Sequence, residues 1–121
     1  MTDAWAICGV LALSFLAASC TKYDHEVKIA DVRKPEVIML KKEPNAGPVY
    51  SIAIRGRGSL AGEARISLME AGTPRNREDL NGKVSFHWGG DWYSDTAEIL
   101  YKPVNVWSGE LIIEYHFSTV E

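Results

Sequence analysis

Most of this chain alternates apolar and polar residues with period two, the pattern of β-strands that bury one face. The clearest examples are Val49 to Arg55, with Tyr50, Ile52 and Ile54 on one face, and Leu60 to Glu70, with Ala64, Ile66 and Leu68 on one face and Glu63, Arg65 and Ser67 on the other. Lys83 to Trp88 repeats the pattern with Val84, Phe86 and Trp88, and Glu110 to Ser118 does so with Leu111, Ile113, Tyr115 and Phe117. Shorter strands are predicted over His25 to Val32, Glu36 to Lys41 and Thr96 to Tyr101. Glu110 to Ser118 closes the pattern and, left as an edge, would offer a surface for self-association.

Turn chemistry separates these runs. Lys41-Lys42-Glu43-Pro44-Asn45-Ala46-Gly47-Pro48 is a polar turn, Gly56-Arg57-Gly58-Ser59 reads as a glycine-rich hairpin connection, and Asn81-Gly82 is a tight-turn signal. Thr73-Pro74 fits the cap and first position of a short helical turn. Gly89-Gly90-Asp91 turns the chain again. About seven short strands at this spacing predict an all-β, antiparallel β-sandwich, immunoglobulin-like or transthyretin-like, with a small closed barrel as the alternative.

The first twenty residues break the pattern. Ala4 to Ser19 is apolar apart from Ser14 and Ser19, and it ends Leu16-Ala17-Ala18-Ser19-Cys20. The run falls short of the about 20 apolar residues of a membrane-spanning helix and suits the about 7–15-residue apolar core of a signal peptide. Small residues followed by a cysteine resemble the lipobox of bacterial lipoproteins. The leader departs from the usual pattern in opening Met1-Thr2-Asp3 without Lys or Arg. The resemblance implies removal of residues 1–19 and a lipid on Cys20. The following Cys20-Thr21-Lys22-Tyr23-Asp24-His25-Glu26 is similar to the short charged signal by which some Gram-negative bacteria export lipoproteins to the outer face of the outer membrane. On this reading, residues 20–26 form a lipidated tether and residues 27–121 a single domain. The protein then sits in the cell envelope, anchored to the outer membrane on its surface or periplasmic side.

The remaining roughly 100 residues suit one core. Cys8 lies in the leader and Cys20 would carry lipid, so no disulfide staples the domain. Thirteen Lys and Arg against 16 Asp and Glu, scattered along the chain, argue against nucleic acid. Arg55 and Arg57 come closest to a basic patch, and their spacing fits the solvated side of a strand.

The strongest binding candidate is the aromatic run Trp88-Gly89-Gly90-Asp91-Trp92-Tyr93, together with Trp107. Flat rings near a turn grip sugar rings by stacking and also anchor protein partners. Trp88 continues the inward face of its strand and is expected in the core; Trp92 is the ring expected to face a ligand. Asp91, Asp95 and Glu98 do not follow the spacing of a calcium loop, and they read as surface charge. His25, His87 and His116 do not make a zinc site by spacing, because the outward pair His87 and His116 lacks a third ligand. No Gly-x-Ser-x-Gly or other catalytic signature appears, so a non-catalytic module without cofactor or metal is expected. Its ligand would be a glycan or a protein partner. The alternative is an inhibitor, immunity or assembly-accessory lipoprotein that docks a periplasmic protein.

Overall fold

The computed structural model describes residues 23–121; the leader and Cys20 lie outside the described residues. The strands are β1 (His25–Lys28), β2 (Glu36–Lys41), β3 (Val49–Glu70), β4 (Thr73–Asp91), β5 (Thr96–Pro103) and β6 (Ser108–Thr119). All pairings are antiparallel, in one sheet of order β1-β6-β3-β5-β2 with β4 on the other edge of β3. The all-β antiparallel expectation therefore holds. Among the described residues the strand count is six, because the expected turn at Gly56 to Ser59 is strand and joins two of the seven expected strands.

The spine is the long β3–β4 hairpin. It turns at Ala71-Gly72, whose φ values of 51° and 79° are those of a two-residue I′-type connection, with Glu70 opposite Thr73. The expected helical turn at Thr73-Pro74 is the start of β4 instead. Gly56-Arg57-Gly58-Ser59 is not a hairpin either: β3 runs straight through it. A Cβ on Gly56 would lie 2.1 Å from Cε2 of Phe86, the residue opposite it on β4, so this glycine makes room for a core ring.

Asn81-Gly82 also stays in strand, at a bulge. The β3–β4 register shifts between Leu60 and Glu63, opposite Gly82 and Asn81. Gly62 sits in the shift with φ 125°, and a Cβ there would meet the Asn105 carbonyl oxygen at 2.4 Å. Before the bulge β3 pairs β6, from Val49 to Ala61; after it β3 pairs β5, from Ala64 to Met69. The curled sheet thus has two halves that share the bent ribbon, β1-β6-β3-β4 and β2-β5-β3-β4. β6 is paired on both sides, which corrects its expected role as an edge; the edges are β1, β2 and β4.

One core cluster draws on both halves. Ile52, Ile54, Val84, Trp88, Leu111 and Ile113 come from the first, and Leu40, Ala64, Ile66, Leu68, Ile99 and Tyr101 from the second. Each large apolar side chain buried here stabilises by about 1.5–3 kcal/mol. Tyr101, with no exposed surface, donates its hydroxyl to the Val32 carbonyl at 2.7 Å and so pins the β1–β2 loop to β5. Tyr50, expected inward, is half exposed while Val49 is buried. A register shift between Val49 and Ser51 reverses the alternation at that strand end.

Candidate functional site

Of the aromatic run, Trp88 is in the core, as its alternation requires, and packs against Phe86 at 4.7 Å between ring centroids. Trp92, expected to face a ligand, is only 5% exposed. Three contacts hold it in. Its backbone N–H donates to Tyr50 O at 3.2 Å. Its indole N–H donates to Thr96 O at 3.0 Å. The Arg75 guanidinium lies 5.4 Å from its ring centroid, and Arg75 also donates to Asp91 O at 2.6 Å. Arg75 stands at the start of β4 and Asp91 at its end, so this arginine closes the curled ribbon over the tryptophan.

Tyr93 is 75% exposed and becomes the presented ring. It stands on the rim of an open hollow of about 390 Å³. Met39 of β2, Met69 and Glu70 of β3, Glu98 of β5 and Trp92 line it, with Ser94 and Thr96 beside Tyr93. Met39, Glu98 and Met69 are in register on adjacent strands, opposite Pro74 of β4, so the floor is a single cross-strand row on the outer face of the second half-sheet. Asp91 is exposed on the chain just before this turn.

Trp107 does not join the site. It is 68% exposed, but its backbone N–H bonds Ala61 O at the bend of β3, whereas Trp92 bonds Tyr50 at the far end. Those anchors are separated by about 35 Å of strand at roughly 3.3 Å per residue. Trp107 instead borders a separate hollow with Lys28, Asp31 and Arg33.

Met39 and Met69 were not apparent as site residues from the sequence. A usable signal was present in β2, where Val37-Ile38-Met39-Leu40 is apolar on both faces. Ile38 and Leu40 enter the core, leaving Val37 and Met39 58% and 48% exposed.

The outer face of the first half-sheet is charged. Arg55 and Arg57 both bond Glu114, at 2.9 and 3.2 Å, and the Arg55 hydrogen bond is the chief reason the Glu114 carboxyl titrates below its usual range. His87 and His116 flank β3 here, opposite Arg55 and Ala53. Of the expected tether, Tyr23 and Asp24 lie on this face, whereas His25 and Glu26 already belong to β1, with His25 stacked on Tyr115. Tyr23 sits 4.3 Å from the Arg55 guanidinium, and Asp24 takes hydrogen bonds from His25 at 2.8 Å and His116 at 3.1 Å. His25 also bonds Glu43 of the β2–β3 loop. Hydrogen bonding to Asp24 first, and to Glu43 second, raises its pKa above the ordinary histidine value. Asp95 pairs with Lys42 at 3.4 Å rather than joining Asp91 and Glu98. Among the described residues no group of three or more His, Cys, Asp or Glu is arranged to hold a metal.

No family model matches the chain, and no curated protein matches it. Among solved structures, it is similar to a de novo designed double-stranded β-helix, with a TM-score of 0.44, 15% identity, and coverage of 76% of this chain and 99% of that one. It is also similar to the carbohydrate-binding module CBM36 in complex with calcium and xylotriose, with a TM-score of 0.35, 15% identity, and coverage of 78% of this chain and 88% of that one.

Proposed function

We propose that this chain is a non-catalytic glycan-binding domain of the bacterial cell envelope, held to the outer membrane by lipid on Cys20. The observation that carries the binding half is Tyr93, an exposed ring on the rim of a hollow whose walls also bear Glu70 and Glu98. A sugar's C–H face stacks on such a ring. Its hydroxyls then donate to the two carboxylates and exchange hydrogen bonds with Ser94 and Thr96. Met39 and Met69 supply a polarizable apolar floor. The anchoring half rests on the resemblance of Leu16 to Cys20 to a lipobox.

The test is binding of the purified domain to a printed panel of neutral and acidic oligosaccharides, with Tyr93→Ala beside the wild type. Binding by the wild type that falls at least tenfold in Tyr93→Ala supports the reading. Equal binding by both, or none by either, overturns it. Lipid labelling of cells that express wild type or Cys20→Ala tests the anchor, and an unlabelled wild type would remove it.

A second reading, docking to a periplasmic protein as an inhibitor or assembly accessory, is favoured by one feature. The edge strand β2 exposes Val37 and Met39 beside an unpaired backbone edge. Under that reading Met39→Lys abolishes a protein complex while Tyr93→Ala does not.

A further inference from the structure

The hollow beside Tyr93 has a neighbour on the same outer face, and the two share Met69 as a dividing wall. The second hollow, of about 220 Å³, is bordered by Arg65, Ser67, Arg77, Leu100 and Lys102. Their register explains the grouping. Ser67 of β3 lies between Arg77 on β4 and Leu100 on β5, and Arg65 lies between Asp79 and Lys102. Three cations therefore surround one serine.

These cations are not equally engaged. Arg65 is held by Asp79 at 2.8 Å. Among the described residues no ion pair engages Arg77 or Lys102. Ser67 adds a second, independent observation. It stands on the outward side of β3 and lines the hollow, yet it is only 6% exposed, set between Arg77 and Leu100 in the cross-strand row. Among the described residues no hydrogen bond reaches its hydroxyl, the arrangement of a donor waiting for an acceptor.

We infer that this second hollow is an anion subsite, and that the ligand of the whole face is an acidic glycan. One sugar unit stacks on Tyr93, and a carboxylate or sulfate borne by a neighbouring unit is held by Arg77, Lys102 and the Ser67 hydroxyl. The spacing suits a continuous chain. Met69 and Ser67 are two residues apart on one strand, about 7 Å, which is within reach of an adjacent sugar's substituent. Charge arrangement sets the direction. At the Tyr93 end Glu70 pairs with Arg75 at 3.9 Å and Glu98 remains, among the described residues, as the uncompensated carboxylate, so the anionic substituent belongs at the Arg77 end. Arginine offers two parallel donors to a planar carboxylate or a sulfate, and lysine adds a point charge.

This inference rests on the glycan reading of the Tyr93 hollow, and the experiment separates the two. Binding of the domain to polygalacturonate, dextran sulfate and neutral xylan is measured by titration calorimetry at low and moderate salt. The proteins compared are the wild type, Tyr93→Ala, Ser67→Ala and the double variant Arg77→Ala/Lys102→Ala. The expected result is tighter binding of an acidic polymer than of xylan. That preference weakens with salt and falls roughly tenfold in the double variant, whose xylan affinity is unchanged. Ser67→Ala, which keeps both cations, loses a smaller part of the same preference. Polygalacturonate and dextran sulfate report separately on a carboxylate and a sulfate, and preference for either supports the subsite. Equal binding of xylan and the acidic polymers, unaltered by the double variant, overturns the anion subsite and leaves the glycan reading standing. Binding of an oligoglutamate peptide that survives Tyr93→Ala assigns the cations to a protein partner and overturns the acidic-glycan assignment. Failure of all three polymers to bind overturns both.

Discussion

Adjacent aromatic residues at one turn carry opposite consequences when truncated, and Trp92→Ala against Tyr93→Ala makes the contrast measurable. Trp92 is 5% exposed, so truncation removes a buried indole and opens a cavity beneath the Arg75 guanidinium. Losses of this kind cost about 3–5 kcal/mol. The Thr96 carbonyl also loses the indole N–H that bonds it at 3.0 Å. Trp92→Phe isolates that second part: it retains most of the packing and gives up the hydrogen bond, for about 1–2 kcal/mol. Tyr93 is 75% exposed, and its truncation costs no more than about 0.5 kcal/mol. A domain of this size has about 5–15 kcal/mol in total, so Trp92→Ala removes a large share of its stability. Urea unfolding followed by circular dichroism reads all three variants on one scale. Loss of glycan binding in Trp92→Ala would follow from unfolding of the turn and says nothing about contact with a ligand; loss in Tyr93→Ala at unchanged stability is a contact effect. A Trp92→Ala unfolding free energy within about 0.5 kcal/mol of wild type, or a Tyr93→Ala loss above about 2 kcal/mol, refutes this assignment of the two rings.

Other substitutions test the frame around the site. Tyr101→Phe leaves the Val32 carbonyl without its 2.7 Å donor and should lower stability by about 1–2 kcal/mol, a melting shift of roughly 4–16 °C in a domain this small. Thermal unfolding checks it, with Tyr115→Phe, only partly buried, as the near-silent comparison. Gly62→Ala combines a φ of 125° with a Cβ 2.4 Å from the Asn105 carbonyl oxygen, and should cost about 3 kcal/mol. Gly72→Ala, with nothing within 4 Å, incurs only the backbone penalty of its positive φ, about 1–2 kcal/mol. The tether contact is pH-dependent. The His25 pKa is raised, so its contribution is complete below about pH 6.5, the unfolded value, and is lost as pH rises through the folded value. Tryptic cleavage after Lys22 and Lys28 should accelerate across that rise in the wild type and stay flat in His25→Gln.

Strand alternation was legible wherever a run had one dry face and one wet face. Ala64, Ile66 and Leu68, then Val84, Phe86 and Trp88, then Leu111, Ile113 and Phe117 all point inward as their spacing implies. Glycine was where local reading failed. Gly56 resembles a turn residue by type, yet it serves Phe86, thirty residues further along the chain. Asn81-Gly82 has strong turn chemistry and is spent on a bulge, while the less conspicuous Ala71-Gly72 makes the turn. Trp92 posed the same problem in a side chain. Its flanking sequence is that of an exposed loop, and its burial depends on Arg75 reaching back to Asp91 after the ribbon has curled. Each failure concerns a residue whose role is set by a partner distant in sequence.

The curl also assigns different work to the two outer faces. Tyr23 and Asp24 lie on the charged face of the first half-sheet against Arg55 and His116, while His25, the first residue of β1, stacks on Tyr115 and bonds Asp24 and Glu43. The aromatic and cationic hollows lie on the outer face of the second half-sheet, across the core from that tether. A chain anchored at Cys20 and bound through Tyr23 and Asp24 would therefore turn its charged face toward the anchor and its Tyr93–Arg77 face away from it. Loosening the His25 contacts would lengthen the free tether by a few residues, each adding at most about 3.3–3.6 Å of reach. That orientation therefore depends on the polar contacts of Tyr23, Asp24 and His25 rather than on the core. Their loss in Asp24→Ala should leave the unfolding midpoint nearly unchanged while increasing proteolysis at Lys22, and an equal fall in global stability would mean that these residues belong to the fold rather than to the tether.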